Sequence, residues 1–235
     1  MPIILSTSRF HIAVLLFFLS ATILAQSTVE VGLLPTVNLN IGLQKNWEIN
    51  TKWETRQLIQ RRIEGENDGQ GFTFLQSDQS AVLARKVGLN SKVVAGYLLR
   101  IKDGEFIHRM IQQFSIVQRL PQLRLAHRFA TDQTFVPDEK VETRLRYRIG
   151  TEIALNGQSA DAGEPYLKIN HEYLGSWQGP DFDLEIRVVP VLGYKFNDIN
   201  KLELGLDFRF DSFLEEAGRR RYWGLLAWYY KLGKV

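Results

Sequence analysis

Glu142, Arg144, Arg146, Arg148 and Glu152 all fall at even positions of one short stretch. Successive side chains of an extended strand point to opposite faces, so these five charges share a face. Val141, Thr143, Leu145, Tyr147, Ile149, Thr151, Ile153 and Leu155 share the other. The pattern returns downstream. Lys168, Asn170 and Glu172 keep one parity, as do Glu185 and Arg187, and again Glu203, Asp207 and Arg209. Charges of both signs on one strand face serve one of two ends. In a narrow enclosed lumen they pair across strands and fill it, stiffening the wall. Left partly unpaired, they line a polar pore or a small-anion path, because a guanidinium grips oxyanions with a planar fork. The ion-paired filling is the preferred reading. A barrel of about 10–12 strands is narrower than the roughly 16–18-stranded barrels that leave an aqueous channel.

Other chemistries find less support. His108, His127 and His171 are the histidines after residue 25, with His11 before it. A nucleophile and its base must come within hydrogen-bond reach. His108 and Ser115 have opposite parity, and no His-x-Ser spacing occurs. An outer-membrane acyl hydrolase is therefore the weaker alternative, and the chain is expected not to be an enzyme. His171 and Glu172 face apart, and no metal-ligand spacing, phosphate loop or Gly-rich nucleotide motif is present; no metal and no cofactor is expected. The acids Asp132, Asp138, Glu139, Asp161, Asp181, Asp183, Asp211, Glu215 and Glu216 fall in expected loops. Solvation is their ordinary explanation, and divalent ions held against lipopolysaccharide the alternative. Arg219, Arg220 and Arg221 precede the last aromatic segment. At headgroup level they would hold lipopolysaccharide phosphates; the plainer reading is a solvated run balanced by Glu215 and Glu216.

Such side chains need strands to position them. Alternation marks 36–44, 47–59, 71–87, 92–102, 105–119, 122–130, 141–155, 164–174, 182–195, 201–213 and 222–232. Lys45-Asn46, Asp68-Gly69, Asn90-Ser91, Asp103-Gly104, Pro121, Asn156-Gly157 and Asn197-Asp198 punctuate them, residues that suit tight turns and breaks. No segment of useful length has a helical period. Eleven candidates sit badly with the even strand numbers of single-chain bacterial barrels. About 12 strands are expected, either by adding 29–34 or by dividing 71–87 at Asp78, with 10 as the alternative. The fold class is all-β, an antiparallel up-and-down transmembrane β-barrel.

Residues 1–25 carry Arg9 and a largely apolar run from Phe10 to Leu24, ending at Ala25. This reads as a cleaved secretory signal, leaving 26–235 as a single barrel domain. The alternative is an N-terminal anchor, but the run falls short of the roughly 20 residues that span a bilayer. The chain has no Cys, which excludes a lipid-anchored lipoprotein. Later apolar runs are broken by charge, so insertion must use strands, since only helices and closed barrels satisfy their backbone in lipid. Removing Arg9 leaves 28 basic against 26 acidic residues, or +2. No basic run is interleaved with stacking aromatics, so no nucleic-acid partner is expected.

Aromatics gather near strand ends. Trp47, Tyr194, Phe196 and Tyr230 lie toward one set, and Trp177, Phe182, Phe213, Tyr222 and Trp223 toward the other, as interfacial girdles do. Alternation alone also fits a soluble lipocalin-like barrel with an apolar lumen. The number and length of the strands, the girdles and the aromatic-rich 222–232 favour the outer membrane of a Gram-negative cell. Lipid and lipopolysaccharide would be the partners there, and the barrel-assembly machinery the partner in biogenesis. The ending Lys234-Val235 departs from the usual aromatic terminus.

Several phrases carry a resemblance: Lys45-Asn46-Trp47, Gly96-Tyr97 followed by Arg100, His127-Arg128-Phe129, Arg144-Leu145-Arg146-Tyr147-Arg148, Glu164-Pro165-Tyr166, Glu172, and Gly193-Tyr194. They resemble an uncharacterised family of bacterial outer-membrane barrels, domain of unknown function 2490, over most of the chain after residue 25. The resemblance implies a barrel at the outer membrane. It implies no reaction, no ligand and no functional residues.

Overall fold

A computed structural model of the chain describes residues 28–63, 69–120, 123–157, 159–215 and 218–233. The signal-like residues 1–25, Pro121 and Glu216 lie outside them. Eleven strands follow in chain order: β1 (Thr28–Gly42), β2 (Trp47–Arg62), β3 (Gly69–Lys86), β4 (Ser91–Lys102), β5 (Glu105–Arg119), β6 (Arg124–Phe135), β7 (Glu142–Ala154), β8 (Glu164–Gln178), β9 (Asp181–Lys195), β10 (Asn200–Asp211) and β11 (Arg219–Leu232). Each pairs with its neighbours in sequence, and β1 with β11 closes the barrel. Tight turns form where the residues favour positive φ. Lys45 and Asn46 have φ of 59° and 67°, and Asp103 and Gly104 have 53° and 83°, the backbone of primed hairpin turns.

The strand number differs from the expected 12. The eleven alternating segments match the eleven strands one to one, and neither adjustment toward an even count occurs. β1 runs unbroken through Pro35. The missing N–H of Pro35 falls where β1 has no partner in β2, between Leu33↔Gln57 and Thr36↔Glu54, which is where a strand proline is tolerated. β3 likewise runs through Asp78. With an odd count the first and last strands run the same way. Closure is therefore parallel, from Thr28↔Arg219 to Ile41↔Leu232, while every other pair is antiparallel. Thr28 and Gly233 consequently stand at opposite rims.

The barrel is apolar outside and charged inside. Trp53, Leu145 and Leu192 are 56%, 54% and 52% exposed on the outer face, whereas Glu172, Glu203 and Asp132 are at most 2% exposed within. One interior cluster is apolar: Leu34, Leu58 and Trp223, with Leu75 and Leu225 against it. It corrects one member of the expected girdles. Trp223 shares parity with Arg221 and Leu225 and turns inward. Its ring lies over Gly32, where an added Cβ would fall 2.5 Å from Trp223 Cζ3.

Candidate functional site

Register carries the inward charges into rows that cross the strands. One row runs Arg128↔Arg148, Arg148↔Glu172, Glu172↔Arg187, Arg187↔Arg209 and Arg209↔Arg221 from β6 to β11. Like charges directly opposite repel, and carboxylates interleave to offset this. Glu172 accepts from Arg128 at 2.6 Å and Arg148 at 2.8 Å, with Arg187 at 3.3 Å. Arg187 also donates to Glu185, two residues back on its own strand. Arg209 grips Asp207 through Nε and Nη2, at 2.6 Å for the shortest contact. Arg221 pairs with Asp211 and lies 3.5 Å from Glu185.

A second knot lies higher on β5–β7. Asp132 faces Arg144 across the pair and bonds to it; Arg146 Nε lies 2.9 Å away and Arg109 Nε 3.4 Å. Two carboxylates, Asp132 and Glu172, thus gather six arginines. The other wall is the reverse. Glu203, Thr36, Glu54 and Asp78 follow one another in a row through Ala227, ending on Arg100. Its acids are satisfied locally: Asp78 by a two-pronged Arg100 at 2.7 and 2.8 Å, and Glu54 by Lys52 at 3.0 Å and Arg56 at 3.5 Å.

A polar cluster lies inside the lumen toward the Lys195 rim. Tyr166 donates to Glu203 at 2.7 Å, and Lys168 and Lys201 converge on the same carboxylate. Lys201 also lies over the rings of Tyr229 at 4.3 Å and Tyr166 at 5.6 Å. Tyr166 pairs with Gly193, and a Cβ there would stand 2.2 Å from Tyr166 Cζ. Only glycine lets that ring lie flat on β9. Beside this cluster a cavity of about 960 Å³ extends to the Thr28 rim, where Ser212, Glu215 and Arg219 also line it. Its lining takes in Lys168, Glu203 and Tyr229 of the cluster.

The residues singled out in the sequence sit as follows. Arg144, Arg146, Arg148, Glu172, Glu185, Arg187, Glu203, Asp207 and Arg209 meet in the lumen network just described, with Lys168 in the polar cluster around Glu203. Glu142 is at its edge, 3.9 Å from Arg144, and Glu152 pairs with Arg124 at 3.7 Å. Arg219, Arg220 and Arg221 do not share a face. They open β11, so alternation turns Arg219 and Arg221 into the lumen and Arg220 outward. Four of the acids assigned to loops, Asp132, Asp181, Asp183 and Asp211, belong to strands, and all but Asp181 line the cavity. β6 runs to Phe135, beyond the limit of 130 that alternation marked, whereas Asp183 and Asp211 fall inside the marked segments 182–195 and 201–213. Sequence reading also missed Arg109, Arg128, Asp78, Tyr166 and Tyr229. The available signal was parity for three of them: Arg128 lies across from Arg148, Tyr166 shares a face with Lys168, and Tyr229 with Arg221.

His108, His127 and His171 lie on the outer face, with parity opposite to Arg109, Arg128 and Glu172. His108 bonds Tyr97, and His127 lies 2.9 Å from the Tyr147 hydroxyl. Ser115 pairs with Arg128 on the inward face. Among the described residues no group of three or more His, Asp and Glu is arranged to hold a metal ion. No helix among them is long and apolar enough to cross a membrane, which leaves strand crossing untouched.

Residues 32–215 match the family described as Protein of unknown function (DUF2490). The chain belongs to this family. The matched span takes in the Glu172 and Asp132 knots and Tyr166, and stops short of β11. No curated protein and no solved structure matches the chain.

Proposed function

We propose that this DUF2490 chain is an integral outer-membrane β-barrel with a structural or interaction role, held rigid by its charged lumen, and not an enzyme. One observation carries the proposal: the polarity is inverted relative to a soluble barrel. Large apolar side chains such as Trp53, Leu145, Leu192 and Trp228 stand exposed around the outside, while the fully buried side chains include Glu172, Glu203 and Asp132. In water that exterior would aggregate; in lipid it is what a transmembrane barrel requires. The signal-like residues 1–25 supply a route to the envelope. Among the described residues His108, His127 and His171 face outward and Ser115 inward, so Ser115 is not paired with any of these histidines.

Fractionation with heat-modifiability tests this reading. The protein is expected in the carbonate-resistant membrane fraction, with an unheated form that migrates differently from the boiled form. A carbonate-soluble protein without a shift would end the membrane reading and favour a lipocalin-like binding protein. A second reading, a narrow small-solute pore, is favoured by the cavity that reaches the Thr28 rim. Lipopolysaccharide remains a proposed partner through Arg220 alone of the three arginines. Its replacement by Gln should reduce stabilisation by added lipopolysaccharide.

A further inference from the structure

We propose that the lumen binds a small multivalent oxyanion, of the phosphate or polycarboxylate class, on the wall formed by Arg128, Arg144, Arg146 and Arg148. The proposal rests on the reading of the charged interior as a solvent-reached cavity.

The first support is an excess of donors. A guanidinium offers about five N–H groups and a carboxylate about four lone-pair sites. Six arginines share Asp132 and Glu172. Arg109 spends its Nε on Thr134 at 2.9 Å and Arg187 turns to Glu185, whereas among the described residues the further carboxylate paired with Arg128, Arg144, Arg146 or Arg148 is Glu142, 3.9 Å from Arg144. Arg128 Nε is buried without a hydrogen-bond partner.

The second support is room. Arg146 is flanked by Ala130 on β6 and Leu174 on β8. Neither side chain can accept a hydrogen bond, and both line the cavity together with Arg128, Arg144, Arg146 and Arg148. A volume of about 960 Å³ lies at the upper end of the roughly 300–1,000 Å³ usual for small-ligand sites. The third support is asymmetry. On the opposite wall Glu54 and Asp78 are already taken up by Lys52, Arg56 and Arg100, and the cavity lining as a whole carries 14 Lys and Arg against 10 Asp and Glu, so the excess charge is positive even with Asp183 Oδ1 buried and unpartnered. Several guanidinium forks facing one cavity favour an anion with several oxygens over chloride.

Pyrophosphate is the probe, with sodium chloride at matched ionic strength as the control. Protein folded in neutral detergent, shown by its heat-modifiable migration, is titrated by calorimetry and followed by thermal unfolding. The expected result is saturable binding of pyrophosphate and a raised unfolding temperature that chloride does not reproduce. Arg146→Gln should weaken binding about tenfold through loss of a charge-assisted contact. Asp132→Asn removes the carboxylate that competes for Arg144 and Arg146, and should tighten it. Opposite signs for these two variants are the signature. Absence of a pyrophosphate effect in the wild-type protein overturns the proposal even if neither variant folds, as does equal affinity in wild type and Arg146→Gln. Because binding is measured in detergent, a carbonate-soluble protein that still bound pyrophosphate would sink only the membrane reading. A membrane-embedded protein that did not bind would sink only this one.

Discussion

Leu145 and Arg146 are adjacent in sequence and opposed in surroundings. Leu145 is 54% exposed on the outer face, and Arg146 reaches Asp132 inside. A charge on the lipid face of a barrel costs about 2–4 kcal/mol near the midplane. Leu145→Arg or Tyr147→Arg should therefore reduce the folded, heat-modifiable fraction far more than Arg146→Leu. In the latter, Asp132 keeps Arg144 and Arg109 and has water within reach. Equal tolerance of the two kinds of change would mean the faces are reversed. At this scale the sequence was highly legible. Side-chain period in a strand is two, so one confident residue such as Arg146 assigns the direction of every neighbour, including the members of the lumen network on β7.

Strand limits were less legible, and they decided which charges meet. Asp132 looked like a loop acid because alternation weakens after residue 130. β6 continues to Phe135, held by its pairs to β5 and β7, and so places a carboxylate opposite Arg144. The same holds at β11, which starts at Arg219 and splits the arginine run between two faces. The parallel closure of β1 on β11 is the element-level feature most open to a direct test. Val37 and Trp228 are register partners on the outer face, and the chain has no native Cys. A Val37→Cys, Trp228→Cys variant should form a disulfide under mild oxidation, seen as altered gel mobility reversed by reductant, since paired strands bring Cα atoms within about 4.4–6.8 Å. Val37→Cys with Leu202→Cys should not, because Leu202 is the partner of Trp228 one strand further, on β10, at about 9–10 Å from Val37. The reverse result would mean that a different strand pair closes the barrel.

Over the whole molecule, the lumen holds a polar cluster of Tyr166, Glu203, Lys168, Lys201 and Tyr229 toward one rim and a cavity that reaches the other. Eleven strands fall between the eight whose side chains fill a barrel and the roughly 16–18 that leave a channel, and the interior is intermediate too: ion-paired walls around a cavity. Wild-type protein in planar bilayers should show at most weak currents. Tyr166→Ala combined with Tyr229→Ala removes two rings from this cluster and should raise single-channel conductance severalfold. Large stable currents from the wild type would overturn the charge-filled lumen and support the pore. An unchanged conductance in the double variant would mean that the cluster is not the barrier.

The amino-acid sequence alone determined the all-β class, the eleven strand segments and the face each side chain takes, because alternation and turn chemistry are local properties. It did not determine the count in the end: a rule about even numbers argued against what the alternation itself displayed at β1 and β3. Only tertiary structure decided the rest. Which arginine meets which carboxylate depends on register between strands distant in sequence, as when Arg128 and Arg187 converge on Glu172. Where the Tyr166 ring lies depends on Gly193 making space for it on the neighbouring strand. Pairing across a closed sheet is set by all its strands at once, and no single segment carries that information.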